Sequence, residues 1–270
     1  MDMEAVYMRN TRLDEMEKYI LQNESVSMEQ LCQQFKVSMI TVRRDIAQLQ
    51  RKGTIEKIYG GVTARKGEQL TPFDVRRIKG REAKAAIAAR AAQFVHDNDT
   101  VFLDSGTTTL HVLDNLSALH NVTIVTHSLQ AMMAALPYQN LNIISLPGQL
   151  YRKTSSFTGL DVIRFLKTYN ISVAFMGASA FSIEHGVSNS SPLEYEIKMT
   201  AMQRAEKSVL LLDSEKFGRT ALLTYAQIAD FDAIVTERMP APEYERACRD
   251  AGTELIIAEL PTHAPDGGEG

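Results

Sequence analysis

Residues 27–62 read SMEQLCQQFKVSMITVRRDIAQLQRKGTIEKIYGGV, and the spacing within this stretch decides how the first quarter of the chain folds. Ser27 followed by Gln30 is a capping-box pair, in which two side chains satisfy backbone N–H groups at a helix start. A second helix opens at Ser38. Val42, Ile46 and Leu49 follow at i, i+4 and i+7, so they share one stripe, which is expected to pack on Leu31, Phe35 and Val37. Upstream, Leu13, Met16, Ile20 and Leu21 fall on one face of an earlier helix. After Gly53, the alternation from Thr54 to Tyr59 ends at Gly60-Gly61 and reads as a short hairpin.

Three helices followed by a hairpin is the plan of a winged helix-turn-helix, whose partner is double-stranded DNA. The helix opening at Ser38 offers Met39, Ile40 and Thr41 in its first turn, and such helices point their N-terminal residues at base edges in the major groove. An exposed Met or Ile suits a thymine methyl, and Arg43 or Arg44 suits a guanine edge or a phosphate. Lys52, Lys57, Tyr59, Gly60 and Gly61 extend the expected interface to the helix end and the wing. The rival explanation is a small solvated domain with a few arginines. Charge argues against it: residues 36–66 carry eight Lys or Arg against Asp45 and Glu56, plus six in a chain whose net charge is −4. A local basic island of this kind is the footprint of phosphate contact.

The chain has 270 residues and 44% hydrophobic content, enough for one domain of about 60 residues and another of about 180. The expected division is a DNA-binding domain over 1–63, a linker over 64–80, a sensing domain over 81–260 and a disordered tail over 261–270. No apolar run approaches the ~20 residues of a membrane span. The N-terminus lacks the basic-then-apolar plan of a signal peptide, so a cytoplasmic location is expected, with no membrane partner. Cys32 and Cys248 lie in different domains, and neither a disulfide nor a metal site nor a cofactor follows from them. The first 70 residues carry eleven basic and ten acidic groups and the remainder 18 and 23. The acidic remainder is a poor partner for DNA.

The stretch ARKGEQLTPFDVRRIKG (64–80) has no sustained period. Its Arg76, Arg77 and Lys79, with Arg81, read either as a solvated basic hinge or as extra phosphate contacts. Residues 82–96 form an Ala-rich helix whose Ile87, Ala91 and Phe94 face either the sensor body or a second subunit. From Asp99 onward, apolar runs at 100–104, 122–126, 142–146, 173–177, 209–213, 233–237 and 255–258 alternate with helical segments near 107–118, 128–136, 160–168, 193–206 and 243–251. Nearly continuous apolar strands between helices predict a mainly parallel α/β sheet covered on both faces. Ligands of such sheets bind beyond the carboxyl ends of the strands.

The most informative of those ends is Asp104-Ser105-Gly106-Thr107-Thr108-Thr109. It follows a strand and is expected to open a helix, so backbone N–H groups, Gly106 and four hydroxyls suit an anion; Ser and Thr also serve as ordinary helix caps. The Gly-Lys-Ser/Thr ending of a nucleotide loop is absent. At other ends, Thr126-His127-Ser128 is either a local cap or a ligand set, and Arg152 with Lys153, just after Gly148, is either a phosphate-neutralising pair or a surface pair. Glu194 and Lys198 have the i, i+4 spacing of an ordinary helix salt bridge, and lie near enough to a strand end to serve a ligand instead.

VSMITVRRDIAQLQRKGTIEKIYGGV resembles the N-terminal signature of the DeoR family of bacterial transcription regulators. The similarity continues through FLDSGTTT, GQLYR, TG, FMGAS, GV and LLDSEKFG to about Glu237. Three positions depart from the family pattern: Lys57 and Tyr59 stand where Arg and His are common, and His127 where Asn is more frequent. The resemblance implies a repressor of a carbohydrate-catabolism operon, acting as a homodimer or homotetramer. It also implies a sensor similar to the ribose-5-phosphate isomerase and coenzyme-A-transferase superfold, which holds a phosphorylated sugar at the 104–109 loop, with Lys216 reaching the phosphate. The competing class is an isomerase-like enzyme with an appended DNA-binding domain. Such an enzyme needs a base, and where isomerase relatives have Gly-Ala-Asp this chain has Gly177-Ala178-Ser179. A scaffold that only oligomerises on DNA is a third reading, which leaves the hydroxyl-rich loop without a role.

Overall fold

The computed structural model describes residues 12–20, 23, 25–52, 55–58, 61–64 and 73–260, which divide into two compact units at Thr71/Pro72. Tyr59 and Gly60 of the expected wing, the Lys52 side chain, residues 65–72 of the expected linker and the tail 261–270 lie outside the described residues.

The first unit runs α1 (residues 12–20), β1 (Ser25–Ser27), α2 (Met28–Phe35), α3 (Met39–Lys52), β2 (Ile55–Ile58) and β3 (Gly61–Ala64). The capping box forms as expected: the Gln30 N–H donates to Ser27 Oγ at 3.1 Å and the Ser27 N–H to Gln30 Oε1 at 2.8 Å. Lys36, with φ of 50°, ends α2 in the left-handed region. Ser38 then caps α3, accepting the Thr41 N–H at 3.3 Å. Leu13, Met16, Ile20, Leu31, Val42, Ile46 and Leu49 form the core, joined by Val26, Ile55 and Val62 from the strands. Asp45 breaks the outward-facing polar pattern of α3. It is fully buried and accepts from Arg12 of α1 at 2.9 Å, tying the first helix to the third.

β1 is a strand absent from the sequence expectations, because three residues abutting a helix cap leave no alternation to read. It pairs antiparallel with β3, giving the order β1-β3-β2. Gly61, expected at the DNA interface, is instead buried in this pairing: a Cβ there would lie 2.4 Å from the Val26 carbonyl oxygen. Its place is therefore set by strand packing. Replacing Gly61 by Ala should destabilise the first unit by about 1–3 kcal/mol through overpacking. An unaltered unfolding curve for that unit would refute this role.

The second unit runs α4 (Phe73–Ile78), α5 (Arg81–Ala91), β4 (Thr100–Leu103), β5 (Val122–Thr126), α6 (Leu129–Ala135), β6 (Leu141–Ser145), β7 (Gln149–Tyr151), β8 (Ser156–Thr158), α7 (Leu160–Leu166), β9 (Ile171–Gly177), β10 (Ala180–Ser182), β11 (Gly186–Asn189), α8 (Pro192–Arg204), β12 (Ala205–Leu211), β13 (Leu223–Ala226), β14 (Ala233–Thr236), α9 (Pro242–Ala251) and β15 (Glu254–Ile257). The seven apolar runs make one sheet in the order β15-β14-β12-β9-β4-β5-β6, and every pairing in it is parallel. Side chains alternate between two cores. Val101 and Leu103 of β4 face the layer containing Ile87 and Ala91 of α5, whereas Phe102 faces the layer of α7, α8 and α9. Ile87 and Ala91 therefore belong to the sensor body. Around the sheet lie a β7–β8 hairpin and a small antiparallel sheet, β10-β11-β13.

Two expectations are corrected here. The segment near 107–118 is not an α-helix; it forms 3-10 turns over Thr109–Asn115. Thr109 Oγ1 donates to the carbonyls of Asp104 and Gly106, at 2.8 and 2.9 Å, and such local bonds compete with a regular helix start. The loop thus has no α-helix behind it, and the helix-dipole part of the anion reasoning falls away. Residues 73–80 are likewise not open linker. Phe73 of α4 is buried, and its N–H donates to the Lys153 carbonyl at 3.2 Å.

Candidate functional site

On the first unit, α3 turns Val42, Ile46 and Leu49 inward and leaves the other side open. Ile40 is 81% exposed, Arg43 and Arg44 are exposed, and Met39 and Thr41 are half-buried. Ser38 is exposed but its hydroxyl is committed to the cap, 3.1 Å from Thr41 Oγ1. Lys57 is exposed on β2. The described part of the expected DNA surface is thus an apolar residue and two guanidinium groups at the start of one helix, with a further cation on the wing.

On the second unit, the carboxyl ends of β4, β5 and β9 converge with α8 on one buried network. Asp104 ends β4 and is 2% exposed. One of its oxygens accepts the Gly177 N–H at 2.9 Å and pairs with the Lys198 ammonium; the other lies 3.4 Å from His127 Nε2. Burial alone would raise this carboxyl, but Lys198 and His127 hold it well below the usual carboxylate range. Lys198 also donates to the Gly177 carbonyl at 2.9 Å, and Tyr225 donates its hydroxyl to the same oxygen at 2.8 Å. Burial, and then the charge of Asp104, push the Tyr225 phenol well above its ordinary value. His127 is stacked on Phe102, with Nδ1 3.1 Å from the Phe157 carbonyl.

Glu194 and Lys198 are both buried, and they do not form the i, i+4 salt bridge that their spacing permits. Lys198 turns to Asp104, while Glu194 Oε1 accepts from Ser105 Oγ at 2.6 Å and Ser156 Oγ at 2.9 Å. One helix therefore delivers two opposite charges to adjacent residues just past β4, Lys198 to Asp104 and Glu194 to Ser105. Gly106 and Gly177 allow the strand ends to close: a Cβ on Gly177 would meet Asp104 Oδ2 at 3.2 Å and Gly106 Cα at 3.6 Å.

The hydroxyls of the 104–109 loop are used differently from the expectation. Those of Ser105 and Thr109 are spent on Glu194 and on local carbonyls, leaving the backbone as the donor surface. Among the described residues, the N–H groups of Ser105, Gly106, Thr107 and Thr108 donate no hydrogen bond. Thr108 Oγ1 is buried without a partner. Successive unpaired amides form an anion-binding concavity even without a helix dipole, and buried amides are normally satisfied.

Other expected site residues lie elsewhere or serve the fold. Thr126 Oγ1 donates to the Leu103 carbonyl at 2.7 Å and accepts the Ser128 N–H, and Ser128 caps α6. Gly148, with φ of 155°, is pressed against β8, where a Cβ would lie 2.6 Å from the Thr158 carbonyl oxygen. Arg152 is exposed at the β7–β8 turn. Lys216 pairs with Asp213 at 3.3 Å instead of joining the Asp104 network. Ser156 and Tyr225 are the residues that sequence reasoning missed. Ser156 and Tyr225 sit on strands of three and four residues, too short to show a period.

A DeoR-like helix-turn-helix domain matches residues 12–68, and the DeoR C-terminal sensor domain matches residues 79–238. The chain belongs to the DeoR family. It is 46% identical, over 93% of its length and 100% of the relative's, to the HTH-type transcriptional regulator IolR of Bacillus subtilis (strain 168). It is 27% identical, over 89% of its length and 93% of the relative's, to the HTH-type transcriptional repressor GlcR of the same organism. Ribose 5-phosphate isomerase A of Methanocaldococcus jannaschii shares 19% identity and a TM-score of 0.38, over 52% of this chain and 55% of that one, too distant to carry weight. This DeoR-family chain is a DNA-binding transcriptional regulator and not an enzyme, as its curated relatives are regulators. Ser179 donates its hydroxyl to Asn189 Oδ1 at 3.2 Å. No helix among the described residues is long and apolar enough to cross a membrane.

Replacing Asp104 by Asn should strand the Lys198 charge and cost the sensor unit about 3–5 kcal/mol. Because the folded carboxyl sits below its unfolded value, its contribution is complete above the ordinary carboxylate range and is lost as pH falls through the folded value. The substituted protein should accordingly lose part of its acid-side stability slope. Urea unfolding between pH 2 and 6 measures both effects, and identical slopes would refute the buried ion pair.

Proposed function

We propose that this DeoR-family regulator represses a carbohydrate-catabolism operon, binding operator DNA as a homodimer or larger homo-oligomer through α3 and the wing. A phosphorylated sugar, held at the carboxyl ends of β4, β5 and β9, controls that binding. The supporting observation is the run of four amides at 105–108 that donate no hydrogen bond among the described residues, three of them on buried residues, beside a charge network that leaves their hydrogens unused. A phosphate supplies several acceptor oxygens of the right kind, while the sugar hydroxyls find carboxylate and hydroxyl partners in Glu194, Ser156 and the neighbouring loop.

The coupling requires that the effector bind the DNA-competent and DNA-incompetent forms with different affinity, since a ligand that binds both equally shifts nothing. A ligand selective for the native state raises its melting temperature; at a hundredfold excess over Kd the gain is about 2.7 kcal/mol. For a unit of this size that corresponds to a rise of roughly 5–10 °C. A thermal-shift panel of phosphorylated sugars should contain such a compound, and it should not be turned over. A panel without a single stabilising member would remove the sugar-phosphate reading. Replacing Arg44 by Ala should weaken operator binding by about 1–3 kcal/mol, roughly 5- to 150-fold, with folding intact. Unchanged operator affinity at physiological salt would remove α3 from the interface.

A further inference from the structure

The second unit holds a further polar cavity, on the side of the sheet away from α8. Its walls are the outer face of α5, the 3-10 segment Thr109–Asn115 and the chain just past β15, and its volume is about 630 Å³. α5 and the 3-10 segment pack in the layer of Ile87 and Leu113, whereas α8 packs through Ile197 in the other layer. A volume of this size is typical of small-molecule sites. The space exists because α5 turns only Ala85, Ala86 and Ala89 toward its middle, which gives the cavity a floor of methyl groups.

His111 supplies the polar anchor. Its Nε2 is buried and has no hydrogen-bond partner among the described residues, although the residue lines the cavity. Its Nδ1 lies 3.2 Å from Asp114 Oδ2, and Tyr138 donates its hydroxyl to Asp114 Oδ1 at 3.1 Å. The carboxylate holds the imidazole proton on Nδ1, so Nε2 is left as a bare acceptor. A buried acceptor without a donor costs free energy that a ligand hydroxyl would recover. From α5, Arg90 donates to the Gln93 amide oxygen, and both of these lining side chains carry further N–H donors.

The remaining lining groups set the charge of the ligand. Glu82, Asp114 and Glu259 line the cavity against Arg90. A phosphate would meet three carboxylates and one guanidinium, and an ammonium group would lose its hydration against the alanine floor. A hydroxyl can donate to Nε2 or a carboxylate and accept from Arg90 or Gln93, while the C–H face of a carbon ring or chain lies on the methyl groups.

We propose that this cavity is a second ligand site of the regulator, taking an uncharged polyhydroxylated molecule, a free sugar or sugar alcohol, with His111 Nε2 accepting one of its hydroxyls. The site does not rest on the sugar-phosphate reading above. It is nonetheless joined to the 104–109 loop, because the His111 N–H donates to the Thr108 carbonyl at 3.2 Å.

The test titrates the full chain with glucose, ribose and mannitol by calorimetry, with glucose 6-phosphate and glucosamine as charged comparators, and follows the His111 ring nitrogens by NMR. Ala89→Leu fills the cavity from an exposed position on α5, and His111→Phe keeps a ring but removes the acceptor. At least one neutral probe should bind the unaltered protein and shift the Nε2 resonance, and each substitution should weaken that binding by about tenfold. Any binding of glucose 6-phosphate should survive both. If His111→Phe fails to fold, Ala89→Leu and the Nε2 resonance decide. The site is overturned if no neutral probe binds the unaltered protein, if a bound probe leaves Nε2 unmoved, or if Ala89→Leu binds it as well. It is equally overturned if a charged comparator binds more tightly than the neutral probes and is lost in Ala89→Leu, or if Ala89→Leu changes the oligomeric mass, which would mark this face as a contact between subunits. Because glucose 6-phosphate is read separately, each of these failures leaves the phosphate reading of the 104–109 loop standing.

Discussion

The buried carboxylate of Asp104 is the constraint on which the sensing unit depends. An ionised group cannot remain inside a protein without compensation, and Asp104 receives it from three separate elements: the amide ending β9, the imidazole ending β5 and the ammonium of α8. Each compensating contact fixes a strand end or helix relative to β4. The geometry of the 105–108 loop therefore follows from electrostatic satisfaction one residue upstream. Glu194 repeats the principle on a smaller scale, drawing Ser105 and Ser156 together on one oxygen. A site of this kind is stiff where its charges are and offers its backbone to a ligand.

Much of this fold was legible because two periods carried it. The i, i+4, i+7 spacing of Val42, Ile46 and Leu49 named the buried side of α3, and seven apolar runs named the seven parallel strands. What escaped had no period to show. β1 has three residues, β8 has three and α4 has six, so Ser156, for one, could be placed only by tertiary contact. The apparent helix after Thr109 misled for a different reason: its apolar spacing is helical, but the segment forms 3-10 turns, with the Thr109 hydroxyl bonded to the Asp104 and Gly106 carbonyls.

The fate of Glu194 and Lys198 shows why spacing alone leaves a site ambiguous. At i, i+4 the two side chains can meet each other or reach past each other, and the sequence is identical in both cases. Burial decides between them. On a solvated face the pair would gain a few tenths of a kcal/mol from mutual contact, but inside the protein each charge must answer a stronger local demand. Lys198 answers Asp104, and Glu194 answers two hydroxyls. The same logic places Asp45 inside the first unit, where Arg12 meets it, despite its position on a helix otherwise rich in outward-facing cations.

Charge balance at the site bears on what it can accept. Asp104 and Lys198 cancel as a pair, and Glu194 is met by the hydroxyls of Ser105 and Ser156. An uncharged sugar would leave the amides of 105–108 facing weak acceptors, and a cation would be repelled by the nearby ammonium group. A phosphate adds negative charge where the four N–H groups of 105–108 concentrate partial positive charge. Coupling free energies of about 1–3 kcal/mol are typical between linked sites, and a charge-assisted hydrogen bond to an ionised group is worth about 1.5–3 kcal/mol. One such bond, made in only one form of the regulator, is therefore energetically sufficient to link effector binding to DNA binding.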